Sequence, residues 1–161
     1  MTIARLIIGG ALAIALAPAA IAQQIPGPYG PAVGLSDARA IVDAAHRAAK
    51  VSNFRMAFTV ALPSGEPILL EVMDGTQSAS IVISQAKART SARFRRATKV
   101  FAEQAASGNL GVLSLPDVVA VEGGVPIVRK GLVIGALGIS GGTSAEDGQI
   151  AAAALDSIKL D

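Results

Sequence analysis

Between residues 51 and 56 the apolar period of this chain drops from the 3.6 of a helix to the 2 of a strand. No other feature limits its fold so much. Before the break, Ala38, Ile41, Val42, Ala45, Ala48 and Ala49 form one stripe at helical spacing, with Arg39, Asp43, Arg47 and Lys50 opposite. Ser36 reads as the N-cap and Asp37 as a favourable first-turn charge. After it, Met56, Phe58, Val60 and Leu62 alternate with Arg55, Ala57, Thr59 and Ala61. Pro63-Ser64-Gly65-Glu66 makes a turn, and Ile68, Leu70 and Val72 alternate again, so the spacing predicts a hairpin. Met73-Asp74-Gly75 then leads the chain out of the sheet.

A helix is expected over 78–96, with Ala79, Ile83, Ala86, Thr90 and Phe94 along one side and Arg89, Arg93 and Arg96 along another. A shorter one follows over 99–106, broken by Gly108 and Gly111. "VPIVRKGLVIGALGI" predicts a second hairpin about Lys130-Gly131. Thr143 and Glu146 form a capping box for a last helix that turns Ile150, Ala151, Ala154 and Ile158 inward. Helix, hairpin, helices, hairpin, helix is the order of an α/β (α+β) domain: a compact antiparallel sheet with helices packed on it.

The first 22 residues are set apart. Arg5, an apolar run from Leu6 to Leu16 and Ala20-Ile21-Ala22 are the parts of a secretory signal peptide, with cleavage expected before Gln23. The run is short for a membrane span, so no stable membrane anchor is expected and the chain is read as exported, periplasmic or extracellular. Residues 23–35 are an irregular lead-in rich in Pro and Gly, where Tyr29 covers a surface; 36–161 form the domain. Removing Arg5 with the leader takes the net charge from +2 to +1. That near-neutrality, with one Tyr and four Phe, argues against nucleic acid as a partner. With no Cys there is no disulfide and no thiol nucleophile.

Enzymatic chemistry has few sources here. His46 is the sole histidine, so neither a nucleophilic triad nor a zinc site of several His or Cys ligands is legible. Asp74 or Glu122 acting with Lys87 as acid and base on a small organic acid remains open. "GALGISGGTSAEDGQ" (135–149) lacks both the G-x-G start of a dinucleotide fingerprint and the lysine of a P-loop. It turns and caps the chain, or it contacts an anion at the helix start.

"MDG", "AKARTSARFRRATKVF" and "EGGVPIVRKGLVIGALGISGGTSAEDGQIA" together resemble the GlcG/HbpS family, and the matching spacing covers nearly all of the mature chain. The final glycine segment is the most specific part. The resemblance implies a profilin-like α/β sandwich, assembly as a homo-oligomer, and haem or another small anionic ligand as partner. It also leaves open an accessory, partner-binding subunit of a metabolic pathway.

Haem needs an apolar slot, cations near its propionates and often an axial ligand. Lys87, Arg89, Arg93, Arg95, Arg96 and Lys99 place six cations within thirteen residues. They form either a solvated helix face or a carboxylate clamp, with Arg89 and Arg96 its preferred members because the family pattern is also basic there. His46 is either a boundary residue or the iron ligand. Met73 belongs to the core or offers a thioether, and Asp74 caps its turn or moves a proton beside the pocket. Under the resemblance the cofactor-binding set is His46, Met73, Asp74, Lys87, Arg89, Arg96, Gly123 and Gly124, with His46 as the metal ligand.

Overall fold

In the computed structural model, which describes residues 26–160, Leu35–Val51 form helix α1. Strands β1 (Ala57–Ala61) and β2 (Pro67–Val72) make the first hairpin. Helices α2 (Ser78–Phe94) and α3 (Lys99–Ala106) follow, with a 3-10 turn at Leu110–Ser114. Strands β3 (Gly124–Arg129) and β4 (Leu132–Ser140) make the second hairpin, and α4 (Ser144–Asp156) closes the chain. The leader, its cleavage site, residues 23–25 and Asp161 lie outside the described residues.

The four strands form one antiparallel sheet in the order β2-β1-β4-β3. This is the α+β architecture expected. Lys130 and Gly131, both at positive φ, are the two central residues of the β3–β4 turn, as a tight hairpin requires. The lead-in is tied down more firmly than its composition suggests. Tyr29 bridges Val133, and its hydroxyl donates to the carbonyls of Ala92 (3.0 Å) and Arg93 (2.8 Å) at the end of α2.

The two faces of the sheet carry different chemistry. On one, Met56, Phe58, Val60, Leu137 and Ile139 pack against Ile41, Val42 and Ala45 of α1 and Ile150, Ala151 and Ala154 of α4. On the other, α2 lies over small residues: Ala61 and Ala136 meet Ala88 and Ala92, and Thr59 Oγ1 lies 2.9 Å from Ser84 Oγ. Gly138 sets the spacing there. A Cβ on it would run into the Ser84 carbonyl oxygen and come within 2.5 Å of the Ala88 nitrogen.

Three expectations need correction. The N-cap of α1 is Gly34, with no side-chain cap, two residues before Ser36. The buried side of α2 is Ser80, Ser84, Lys87, Ala88, Ser91 and Ala92 rather than the Ala79–Ile83–Ala86–Thr90–Phe94 stripe, of which only Thr90 is buried. Close approach to a sheet rewards small side chains, and Ser80 and Ser84 find partners in Ser140 and the Ile81 carbonyl, while Ser91 Oγ has none among the described residues. In β2, Leu70 and Val72 are exposed, because the strand is a sheet edge and the residues packed inward from it are Ile68, Leu69 and Met73.

Candidate functional site

The stripe that buries α1 leaves His46 at its border, and the β1–β2 register sets what it meets. Phe58 pairs with Glu71, so both side chains rise on the α1 face. His46 stacks on Phe58 (centroids 5.9 Å apart, planes at 26°), and its Nδ1 lies 2.6 Å from Glu71 Oε1. The carboxylate accepts, so Nδ1 carries the proton, and in the neutral ring the lone pair is on Nε2. The pair is partly open to solvent, with side chains 29% and 39% exposed. Met73 follows in the same core, and its amide donates to the Met56 carbonyl. Asp74 is exposed in the turn beyond, where the Thr76 amide donates to the Met73 carbonyl.

Lys87 sits in a different place. It projects from α2 into the junction of β4 and α4, where Nζ donates to Asp147 Oδ2 (2.6 Å) and to the Ile139 carbonyl (3.1 Å). Both side chains are almost wholly buried, at 1% and 3% exposure. Burial holds the Asp147 carboxyl above its ordinary value, although Lys87 and the Gly142 amide pull the other way. Gly123 and Gly124 make the room: a Cβ on Gly123 would come within 2.8 Å of Lys87 Nζ, and one on Gly124 would strike the Lys87 carbonyl.

The glycine loop answers its own question. The Gly142 amide donates to Asp147 Oδ1 (2.9 Å), Thr143 N to Glu146 Oε2 (2.7 Å) and Glu146 N to Thr143 Oγ1 (3.4 Å). The capping box is complete, and the Thr143 groups hold the Glu146 carboxyl below its ordinary value. With these amides already given to side chains, titrating the protein with inorganic phosphate is expected to leave the Gly142 and Glu146 amide resonances without a saturable shift. A saturable shift would restore an anion site.

The arginines divide by partner. Arg93 binds Asp117, the Ser64 carbonyl (2.7 Å) and Glu66 (3.5 Å). Arg95 lies 5.0 Å over the Tyr29 ring and donates to the Gly27 carbonyl (3.0 Å). Lys99 reaches Glu122 at 3.4 Å. Arg89 and Arg96 are half-buried, and each has a buried Nε without a partner among the described residues. Phe58 meets α1 and Thr59 meets α2, so the sheet lies between the two helices. His46 and Met73 are thus on one face, with Lys87, Arg89 and Arg96 on the other. The structure does not gather the sequence-based set into one place. A groove of about 400 Å³ between β3 and α4, lined by Val125, Val128, Arg129, Leu155, Ile158 and Leu160 among others, contains none of that set.

Two side chains at these sites escaped the sequence reading. Glu71 carried a faint signal as a charge between Leu70 and Val72. Asp147 lies in the first turn of α4, and nothing local links it to Lys87, 60 residues away.

Residues 33–156 match the model of a family described as "Haem degrading protein HbpS-like". The chain belongs to the HbpS-like family. Within this likeness it is 40% identical to Protein GlcG of Escherichia coli K12 over 103 residues, 64% of this chain and 77% of that one. It is 31% identical over 128 residues to an uncharacterized 15.0 kDa protein in the dhaT-dhaS intergenic region of Citrobacter freundii, covering 77% and 90%. The crystal structure of a PduOC:haem complex superposes with a TM-score of 0.72 at 25% identity, covering 81% of this chain and 97% of that one. One structural neighbour of the chain is thus solved with haem.

Proposed function

We propose that the mature chain is an exported haem-binding protein in which His46 supplies the axial ligand. The observation that carries this reading is the His46–Glu71 pair. Ligating imidazoles characteristically give their second nitrogen to a carboxylate or carbonyl, which fixes the tautomer and raises ligand basicity. Here Glu71 takes Nδ1 and leaves Nε2 as the donor, on an imidazole braced by Phe58. Membership in the HbpS-like family and the haem complex of a relative support the choice of guest.

This donor set fits haem. Phe58 and Met73 lie buried in the core beneath it, and exposed Lys50, one turn beyond His46 on α1, suits a propionate. Arg89 and Arg96 lie across the sheet and would serve a guest on His46 only from another subunit. Bound haem would supply a redox-active iron and a Soret band.

Hemin titration of residues 23–161 is expected to saturate near one haem per chain with a sharp Soret band. His46→Ala should abolish the ligand-field signature, and Glu71→Gln should weaken binding by roughly tenfold or more, as loss of an outer-shell partner does. Unsaturable absorbance overturns the reading; an unchanged spectrum in His46→Ala removes the ligand. The buried, unpartnered Nε atoms of Arg89 and Arg96 favour a second reading, a small carboxylate ligand on the α2 face. In that case binding survives His46→Ala and is lost in Arg89→Ala.

A further inference from the structure

We propose that the Asp74–Gly75 bond is a site of spontaneous covalent modification, rearranging through a succinimide to isoaspartate in the folded protein. The chain's other Asp–Gly bond, Asp147–Gly148, is protected by the fold. The reaction needs only the chain and water. The Gly75 nitrogen attacks Cγ of the protonated Asp74 carboxyl. An N–Cγ bond forms, the Cγ–OH bond breaks, and the hydroxyl leaves with the amide proton as water. A second water then opens the ring. Addition at Cγ restores aspartate. Addition at the α-carbonyl breaks the original peptide C–N bond, so the chain runs through Cβ and Cγ and a free α-carboxylate is left. Glycine favours the attack because no side chain crowds the nitrogen.

The two bonds are alike in sequence and differ in their surroundings. Asp74 and Gly75 are exposed at the centre of the turn between β2 and α2, closed by the Thr76 amide on the Met73 carbonyl (3.2 Å). Gly75 holds the third position at φ 78°, a left-handed conformation suited to glycine. Among the described residues the Asp74 carboxylate has no ion pair, and the Gly75 amide donates to none. A Cβ on Gly75 would meet nothing nearer than Arg55 Cδ at 4.0 Å. Ring closure requires the 74–75 peptide to swing until its nitrogen eclipses Cβ. Here that motion gives up one turn hydrogen bond, a local opening of low cost. Asp147 is 2% exposed, and both its oxygens are held, by the Gly142 amide (2.9 Å) and by Lys87 (2.6 Å). Gly148 is buried in α4 against the Glu122 carboxylate, and the same swing would break the first turn of that helix. At 74 the extra main-chain carbon falls in the short link between Met73, in the core, and Thr76, whose hydroxyl donates to the Met56 carbonyl (3.1 Å).

Trypsin places the two bonds in separate peptides, 56–87 and 131–159. After prolonged incubation of the folded mature chain at physiological temperature, peptide 56–87 is expected to split into two chromatographic species of equal mass. The new species should accept methyl groups from S-adenosylmethionine in the presence of purified isoaspartyl methyltransferase, while 131–159 stays single. In urea both peptides should split. Asp74→Glu, which would need a larger ring, should lose methyl acceptance in 56–87 while circular dichroism shows a native fold. A folded chain that ages without isoaspartate at 74 overturns the proposal. So does isoaspartate at 147 forming as fast as at 74 in the folded chain, or a methyl-accepting 56–87 peptide in Asp74→Glu. A 131–159 peptide that stays single even in urea overturns the protection assigned to the fold.

Discussion

Lys87→Met should destabilise the folded chain by about 3–5 kcal/mol at neutral pH, the loss typical of a buried ion pair stripped of one partner. In a domain of this size that lowers the melting temperature by roughly 10–20 °C. Packing volume hardly changes, so the cost arises from leaving the Asp147 carboxylate beside the Ile139 carbonyl with no cation between them. The pH dependence follows from Asp147. Its carboxyl already sits above the ordinary value, and losing Lys87 raises it further. A folded carboxyl that holds its proton more tightly than the unfolded one loses stability as pH rises from the ordinary value through the raised one. The variant should therefore regain stability as the pH is lowered from neutral towards that ordinary value. Lys87→Met/Asp147→Leu should recover most of the loss at neutral pH, short of the Gly142 hydrogen bond. Urea unfolding at two pH values measures all of this; a loss below about 1 kcal/mol would show that the pair contributes nothing to the fold.

Gly138→Val is the second large effect. Its side chain would enter the space occupied by the Ser84 carbonyl and by Ala88. Backbone rather than a flexible tip is in the way, so α2 must lift from β4. Overpacking usually costs about 1–3 kcal/mol and more where the neighbour cannot yield, so a loss of about 3 kcal/mol or more is expected. Leu137→Met, one residue away on the opposite face, is the control and should cost less than about 1.5 kcal/mol. Equal losses would mean that the two faces do not differ in slack.

Much of the architecture was legible because α1, β1, β4 and α4 bury apolar side chains at regular spacing. The same rule failed on α2. Its hidden side is serine, alanine and lysine, residues that reveal burial only once the sheet they touch is known to be paved with Ala57, Thr59, Ala61, Ala136 and Gly138. Edge position is equally silent: Leu70 and Val72 alternate as a core-facing strand would, and only the strand order shows that they stand at an exposed edge. Of the candidate site, the border position of His46 could be read from α1. Its carboxylate partner could not, because the hydrogen bond depends on the register between two strands. Lys87 stood out as a cation in a basic run, yet its environment is made by segments that meet only in three dimensions.

The unequal paving of the sheet has a mechanical consequence. Where backbone nearly touches backbone beneath α2, sliding by even a fraction of an ångström produces collisions, so that layer behaves as an anvil. Beneath α1 the sheet presents Met56, Phe58, Val60, Leu137 and Ile139, so side chains rather than backbones set the spacing. The guest proposed beside His46 therefore meets the side-chain layer, away from the backbone contacts that fix α2.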